Sequence, residues 1–272
     1  MRTSIERRVL LHPRNVAEAL AMLRDEAGLT PMAGCTDLYV ALNFGTLKDT
    51  RFLNLWTLDA LRSIQVRHGW LWIGALTTHT DLIRSPLVRR RAPMLAAAAR
   101  EVGGVQIQNR GTIGGNVANA SPAGDTLPVL AALDALVVLE SARARRTVPF
   151  TSFYAGYRAT VRRPDELIAG FEIPPASGRQ WFRKVGTRAA QSISKVVMAG
   201  VFGPEPRIAI GSVAPTVVRL PRTESAVAAH APLADVQRVL LEEIAPIDDM
   251  RSTADYRRRV AANILARALA GR

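Results

Sequence analysis

Two short segments, AGCTD (33–37) and TIGGN (112–116), narrow the folds open to this chain more than any other feature of it. Each follows apolar residues and crowds glycine among small polar side chains, which a loop needing only solubility does not require. Glycine permits positive φ and lets the backbone come close to a ligand. Successive unhindered N–H groups, above all at the start of a helix, then form a cradle for phosphate oxygens. Neither segment fits G-x-G-x-x-G or G-x-x-x-x-G-K-S/T, so the doubly wound dinucleotide fold and the phosphate-loop fold are set aside. Two cradles in one domain suit a pyrophosphate gripped from two sides. Thr36 and Asn116 would add side-chain donors, and Asp125 would accept from a ribose hydroxyl. From the glycines alone, a pair of ordinary tight turns stands as the alternative.

The residues around these segments predict mixed α and β structure. NVAEALAMLRDEAG (15–28) has helical spacing, with Asn15 as N-cap and Gly28 as the stop. TPMAGCTDLYVALNFG (30–45) reads as strand, turn and helix. RFLNL, LRSIQVRHG and WLWIGAL read as strands, TTHTDLIRS and VRRRAPMLAAAAREVG as helices. After the second segment, taken as a glycine-rich loop, come a helix in DTLPVLAAL and strands in DALVVLES, RRTVPF and DELIAGFEIP. A proline and glycine cluster, PPASG (174–178), marks a boundary. Beyond it, three strand-like runs (RQWFRKVG, SKVVMAGVFG, PRIAIGSVAP) precede three helical ones, which predicts a small α+β domain over 177–272 after a larger one over 1–176.

Composition excludes several functions. With 272 residues, 48% of them hydrophobic, the chain can bury a real core. Its net charge of +13 invites a nucleic-acid reading. Yet all but three of the cationic residues (Lys48, Lys184, Lys195) are arginine, scattered in short clusters such as RRR at 89–91 and 257–259. No RNA-binding or zinc-finger motif accompanies them, so solvated surface or a protein interface is the expectation. The single cysteine, Cys35, excludes an internal disulfide and a thiolate-ligated iron–sulfur or zinc site held by this chain alone. No run of about 18 apolar residues is present, so no membrane span is expected. The stretch MRTSIERRVLLHPRN has too short an apolar run for an export signal. A cytoplasmic location fits these features. His12, His68, His79 and His230 lack metal-ligand spacing, and His79 reads as a hydrogen bonder at a helix start. Tyr154 and Tyr157 either approach a ligand or pack in the core with a bonded hydroxyl.

In these motifs the chain resembles the FAD-binding (medium) subunit of molybdenum hydroxylases, the xanthine dehydrogenase, aldehyde oxidase and carbon monoxide dehydrogenase group. AGCTDL is similar to that family's first flavin loop, usually A-G-G-T-D-L, and TIGGNVANASPAGD (112–125) to its second. FYAGYRATVRRPDELIAGFEIP (153–174) resembles the end of the flavin domain; FRKVGTRAAQSISKV and APIDDMRSTADYRRRVA resemble the C-terminal domain. The resemblance spans nearly the whole chain. It implies an α+β fold: a two-subdomain FAD-binding domain of the vanillyl-alcohol-oxidase/PCMH type, then a small C-terminal domain with a three-stranded sheet plus helices.

The resemblance also implies a noncovalent FAD site. Pro31, Met32, Ala33, Gly34, Cys35, Thr36, Asp37 and Leu38 would hold the pyrophosphate through backbone amides and the Thr36 hydroxyl. Thr112, Ile113, Gly114, Gly115 and Asn116 would form the opposite wall, and Asn119 and Asp125 the adenosine side. Ile168 matches an apolar contact and Lys184 a lysine near the flavin. Val102 stands where animal relatives place an aromatic beside the isoalloxazine. Cys35 replaces the usual second glycine, which implies negative φ there. No catalytic or metal-binding residue falls on this chain. Substrate chemistry would occur at molybdopterin-bound molybdenum in a large partner subunit. Electrons would pass through 2Fe-2S clusters of a small partner subunit to FAD, then to NAD or another acceptor, in a heterotrimer or its dimer. Two other readings are a free-standing vanillyl-alcohol-oxidase-type flavin oxidase, for which 177–272 is short, and a basic nucleic-acid-binding protein.

Overall fold

The computed structural model of the chain describes residues 8–271. Residues 1–7, the first part of the stretch weighed as an export signal, and Arg272 lie outside the described residues. Apolar alternation and short apolar runs assemble three principal sheets. A parallel sheet has Arg51–Asn54 between Val9–Leu11 and Thr30–Met32. The Val16–Asp25 helix covers it, held at its start by Asn15, whose side chain accepts from the Glu18 N–H. An antiparallel five-stranded sheet follows, in the order Ile64–Arg67, Trp70–Gly74, Leu167–Ile173, Leu136–Glu140, Arg145–Pro149.

The C-terminal sheet is antiparallel: Arg179–Val185, Val196–Phe202, Arg207–Gly211 and a two-residue fourth strand, Val218–Arg219, beyond the three predicted. Its strand VVMAGVF is apolar throughout because both faces are covered. Val196, Met198 and Phe202 face the cluster formed with helices Pro221–Ala228, Leu233–Glu243 and Ala254–Ala270. Ala199 and Val201 face the other way, into the cluster built on helices Pro93–Arg100 and Leu127–Ala132. The sheet that follows PPASG thus shares a core with residues that precede it.

VRRRAPMLAAAAREVG forms two helices rather than one, Pro86–Arg91 and Pro93–Arg100. Pro93 drives Ala92 out of the helical region (φ −137°, ψ 57°). Two helices arise that the apolar pattern does not predict, Val105–Arg110 and Ile113–Asn119. The second lies inside the stretch taken as a glycine loop.

Candidate functional site

A cleft of about 1480 Å³ runs from the first glycine segment, past the Ile113–Asn119 helix and the turn after it, to the C-terminal sheet. Ordinary small-ligand pockets measure roughly 300–1,000 Å³. Of the residues expected in the site, all but Met32, Ile113 and Lys184 line this cleft. Met32 ends its strand with its carbonyl accepting from Leu55. Ile113 is fully buried in the core. Lys184 stands behind the wall, as described below.

The first segment behaves as a cradle. Among the described residues, nothing accepts from the backbone N–H groups of Gly34, Cys35, Thr36, Asp37 or Leu38. Gly34 is held tight: a Cβ there would overlap the backbone carbonyl of Arg110. Cys35 departs from the expectation of negative φ. Its φ is +65°, the left-handed conformation that the family's glycine would adopt freely. The Tyr39 N–H closes onto the Cys35 carbonyl (2.9 Å) and the thiol donates to the Ala33 carbonyl (3.3 Å). These contacts hold a side-chain-bearing residue where it costs about 1–2 kcal/mol. Partial burial pushes the thiol pKa up, against the opposing pull of Arg110.

The second segment is not a loop with free donors. Thr112 caps a helix, its hydroxyl accepting from Gly115 N–H (3.1 Å). The remaining donors of the first turn are spent on protein. Ile113 N–H bonds to the Thr77 carbonyl (3.0 Å), Gly114 to Ala75 (2.9 Å) and Asn116 to Thr112 (2.9 Å). Gly114 is packed, since a Cβ there would meet Ala75 at 2.7 Å. Gly115 has normal helical φ and leaves space toward the cleft, with only the Thr112 hydroxyl (2.9 Å) near its missing Cβ. This wall therefore offers room rather than a row of free amides. The Asn116 side-chain oxygen accepts from Thr126 (2.6 Å).

Asp125, expected to take a ribose hydroxyl, lines the cleft with both carboxylate oxygens already bonded on the protein: Lys184 Nζ donates to one (2.7 Å) and Ser194 Oγ to the other (2.5 Å). Lys184 also donates to the Glu101 carbonyl (2.8 Å). Burial pushes the Asp125 carboxyl up, opposed by Lys184 and Ser194. The pair fastens the turn after the Ile113–Asn119 helix to the C-terminal sheet. Ile168 sits at a bulge in its strand, and both it and Val102 line the cleft.

His79 begins the His79–Arg84 helix, but Thr78 and Asp81 form its capping box. The imidazole makes none of the expected bonds at Nδ1, and burial lowers its pKa to about 4. Tyr154 packs against Phe150 and Phe153 and donates to the Val117 carbonyl (3.1 Å), while Tyr157 is exposed at the cleft. Sequence reasoning missed the far wall, where Arg257 is buried. It donates to the Ser212 carbonyl (2.6 Å) and to Asp249 (2.7 Å). It belongs to an RRR cluster read as surface; a helix turns one of three consecutive residues inward, and the repeat does not say which.

The sequence matches the family model described as the FAD binding domain in molybdopterin dehydrogenase over residues 4–176. The chain belongs to the molybdopterin-dehydrogenase FAD-binding family. Residues 181–271 match the CO dehydrogenase flavoprotein C-terminal domain that accompanies it. This flavoprotein chain is 33% identical to the carbon monoxide dehydrogenase medium chain of Hydrogenophaga pseudoflava, over 94% of each. It is 31% identical to the xanthine dehydrogenase FAD-binding subunit of Escherichia coli O157:H7, over 89% of this chain and 88% of that one. Its fold superposes with a TM-score of 0.91 on a chain of the solved H. pseudoflava carbon monoxide dehydrogenase that lacks the Mo-pyranopterin moiety. That match has 29% identity and covers 97% and 96% of the two chains. The flavoprotein is a FAD-binding oxidoreductase subunit of the molybdenum-hydroxylase family, with the mixed α+β architecture of the carbon monoxide dehydrogenase medium subunit. No helix among the described residues is long and apolar enough to cross a membrane.

Proposed function

We propose that the chain is the electron-transfer subunit of a molybdenum-containing hydroxylase, with its FAD in the cleft described above. The unpartnered N–H groups at 34–38, on the same cleft as the open space at Gly115, carry this reading. They fit a pyrophosphate, which needs donors on one side and room on the other. On this reading Gly34 to Leu38 hold the phosphates, Thr112 and Asn116 shape the opposite wall, and Asn119 borders the adenosine side. Asp125 and Lys184 set the wall's position through their mutual bond. Ile168 and Val102 supply apolar contact and exclude water. FAD, when bound, supplies a store that one-electron donors fill and a two-electron acceptor empties. Its donors are 2Fe-2S clusters of a small partner subunit, its acceptor is NAD or an equivalent, and substrate chemistry lies at molybdopterin in a large partner subunit. Residues 1–176 form the flavin unit and 177–272 the C-terminal one, and the complex works in the cytoplasm.

Purification from the native host tests this reading. An iron–sulfur and a molybdenum subunit are expected to accompany the chain. Acid precipitation is expected to release one FAD per chain into the supernatant. Flavin held in the pellet, or oxidation of a purine or aldehyde by the metal-free chain alone, refutes it.

A further inference from the structure

We propose that Arg158 is the cation that holds the cofactor's pyrophosphate, clamping it from a hairpin whose turn lines the cleft; this rests on the FAD reading above. The charge requirement is plain. A pyrophosphate carries two negative charges, and Asp37 puts a carboxylate on the same loop that cradles it. The free N–H groups of 34–38 offer dipoles but no net charge.

Among the described residues four arginines line the cleft, and three are occupied. Arg162 donates to the carbonyls of Arg163 (3.0 Å) and Glu166 (2.7 Å). Arg257 is bound to Ser212 and Asp249 (2.6 and 2.7 Å), and Arg251 pairs with Asp249 (3.5 Å). Arg158 makes one hydrogen bond, from Nη1 to the neutral Asn119 side-chain oxygen (3.2 Å). Among the described residues it has no ion pair within 4.0 Å. Its guanidinium lies 5.9 Å from the Tyr157 ring and its charge acts on the Asp37 carboxylate, yet among the described residues it is the cleft arginine with donors to spare for a ligand.

Its position is equally specific. The Asn119 amide that accepts from Arg158 donates in turn to Asp37 (3.1 Å). The guanidinium is thereby tied, through two hydrogen bonds, to the cradle itself. Arg158 sits in the turn between strands Tyr154–Gly156 and Ala159–Thr160 with φ +54°. Glycine or asparagine adopts that conformation more easily, so an arginine there is held against its backbone preference.

The test uses the full-length chain stripped of flavin and titrated with FAD at low and high salt. Arg158→Asn keeps a residue that tolerates the turn and removes the charge; Arg158→Lys keeps the charge and loses the fork. The expected result is FAD affinity about tenfold or more weaker in Arg158→Asn, as for loss of a charge-assisted hydrogen bond. The wild type's salt dependence should be flattened in that variant, Arg158→Lys should fall between the two, and the flavin-free melting temperatures should match. Equal FAD affinity in wild type and Arg158→Asn overturns the proposal, as does a loss that ignores salt. A wild-type chain that takes up no FAD sinks the cofactor assignment itself, a separate outcome.

Discussion

Replacing Lys184 by methionine leaves Asp125 as a buried carboxylate with no cation bonded to it. The two side chains are 5% and 10% exposed, so water cannot take over the lysine's role. Methionine refills the stem's volume, which confines the damage to the charge. Removing one partner of such a pair costs about 3–5 kcal/mol. For a chain of this size each kcal/mol is worth about 2–4 °C, so the melting temperature should fall by roughly 6–20 °C near pH 7. The pH dependence supplies a sharper test. Burial already raises the Asp125 pKa in the folded protein, with Glu101 adding to that and Lys184 and Ser194 opposing it. A carboxyl with a raised folded pKa favours folding below its unfolded value of about 4 and loses that contribution as pH rises. Without Lys184 the pKa rises further, so the variant's deficit should be largest at pH 8 and shrink toward pH 5. Adding Asp125→Asn removes the buried charge and should restore most of the loss. Thermal unfolding of the flavin-free wild type, both single variants and the double variant at the two pH values decides it. A deficit equal at pH 5 and pH 8, or a double variant no more stable than Lys184→Met, refutes the reasoning.

Gly34→Ala drives a Cβ into the Arg110 carbonyl, and because both partners are backbone it should cost about 1–3 kcal/mol in the melting of the flavin-free chain. FAD occupancy should fall with it. Gly115→Val should behave differently: on the protein its Cβ meets only the Thr112 hydroxyl, at a position that lines the cleft. Flavin absorbance of the purified variant should therefore vanish while its circular dichroism stays that of the wild type. His79, lowered to about 4 by burial, should stay neutral through pH 5–8, seen as a flat imidazole resonance. Its depressed folded pKa contributes stability that is present above pH 6.5 and lost as pH falls toward 4, about 3 kcal/mol in full.

Much of the framework can be read from the residues because local and tertiary requirements agree. WLWIGAL and DALVVLES are strands by apolar content and stay strands in the five-stranded sheet. Asn15 is an N-cap by type and by hydrogen bond. The Ile113–Asn119 helix was hidden by two adjacent glycines, which are poor helix formers. Thr112, a good N-cap residue, was the one signal of it. The sign of φ at Cys35 was misread because a tertiary turn overrode a residue preference. The Asp125–Lys184 pair and the neutral contact of Arg158 join residues 59 and 39 positions apart, and no local pattern encodes such distances.

The two-sided burial of the Val196–Phe202 strand bears on how the chain is made. Helices Pro93–Arg100 and Leu127–Ala132 leave the ribosome before the sheet that covers them exists. At about 5–20 residues per second, synthesis of residues 177–219, which hold that sheet, takes roughly 2–9 s. For that interval the nascent polypeptide presents a row of alanines, leucines and valines to water. A holdase that grips it there has a job with a defined end: it is displaced when the last strand docks.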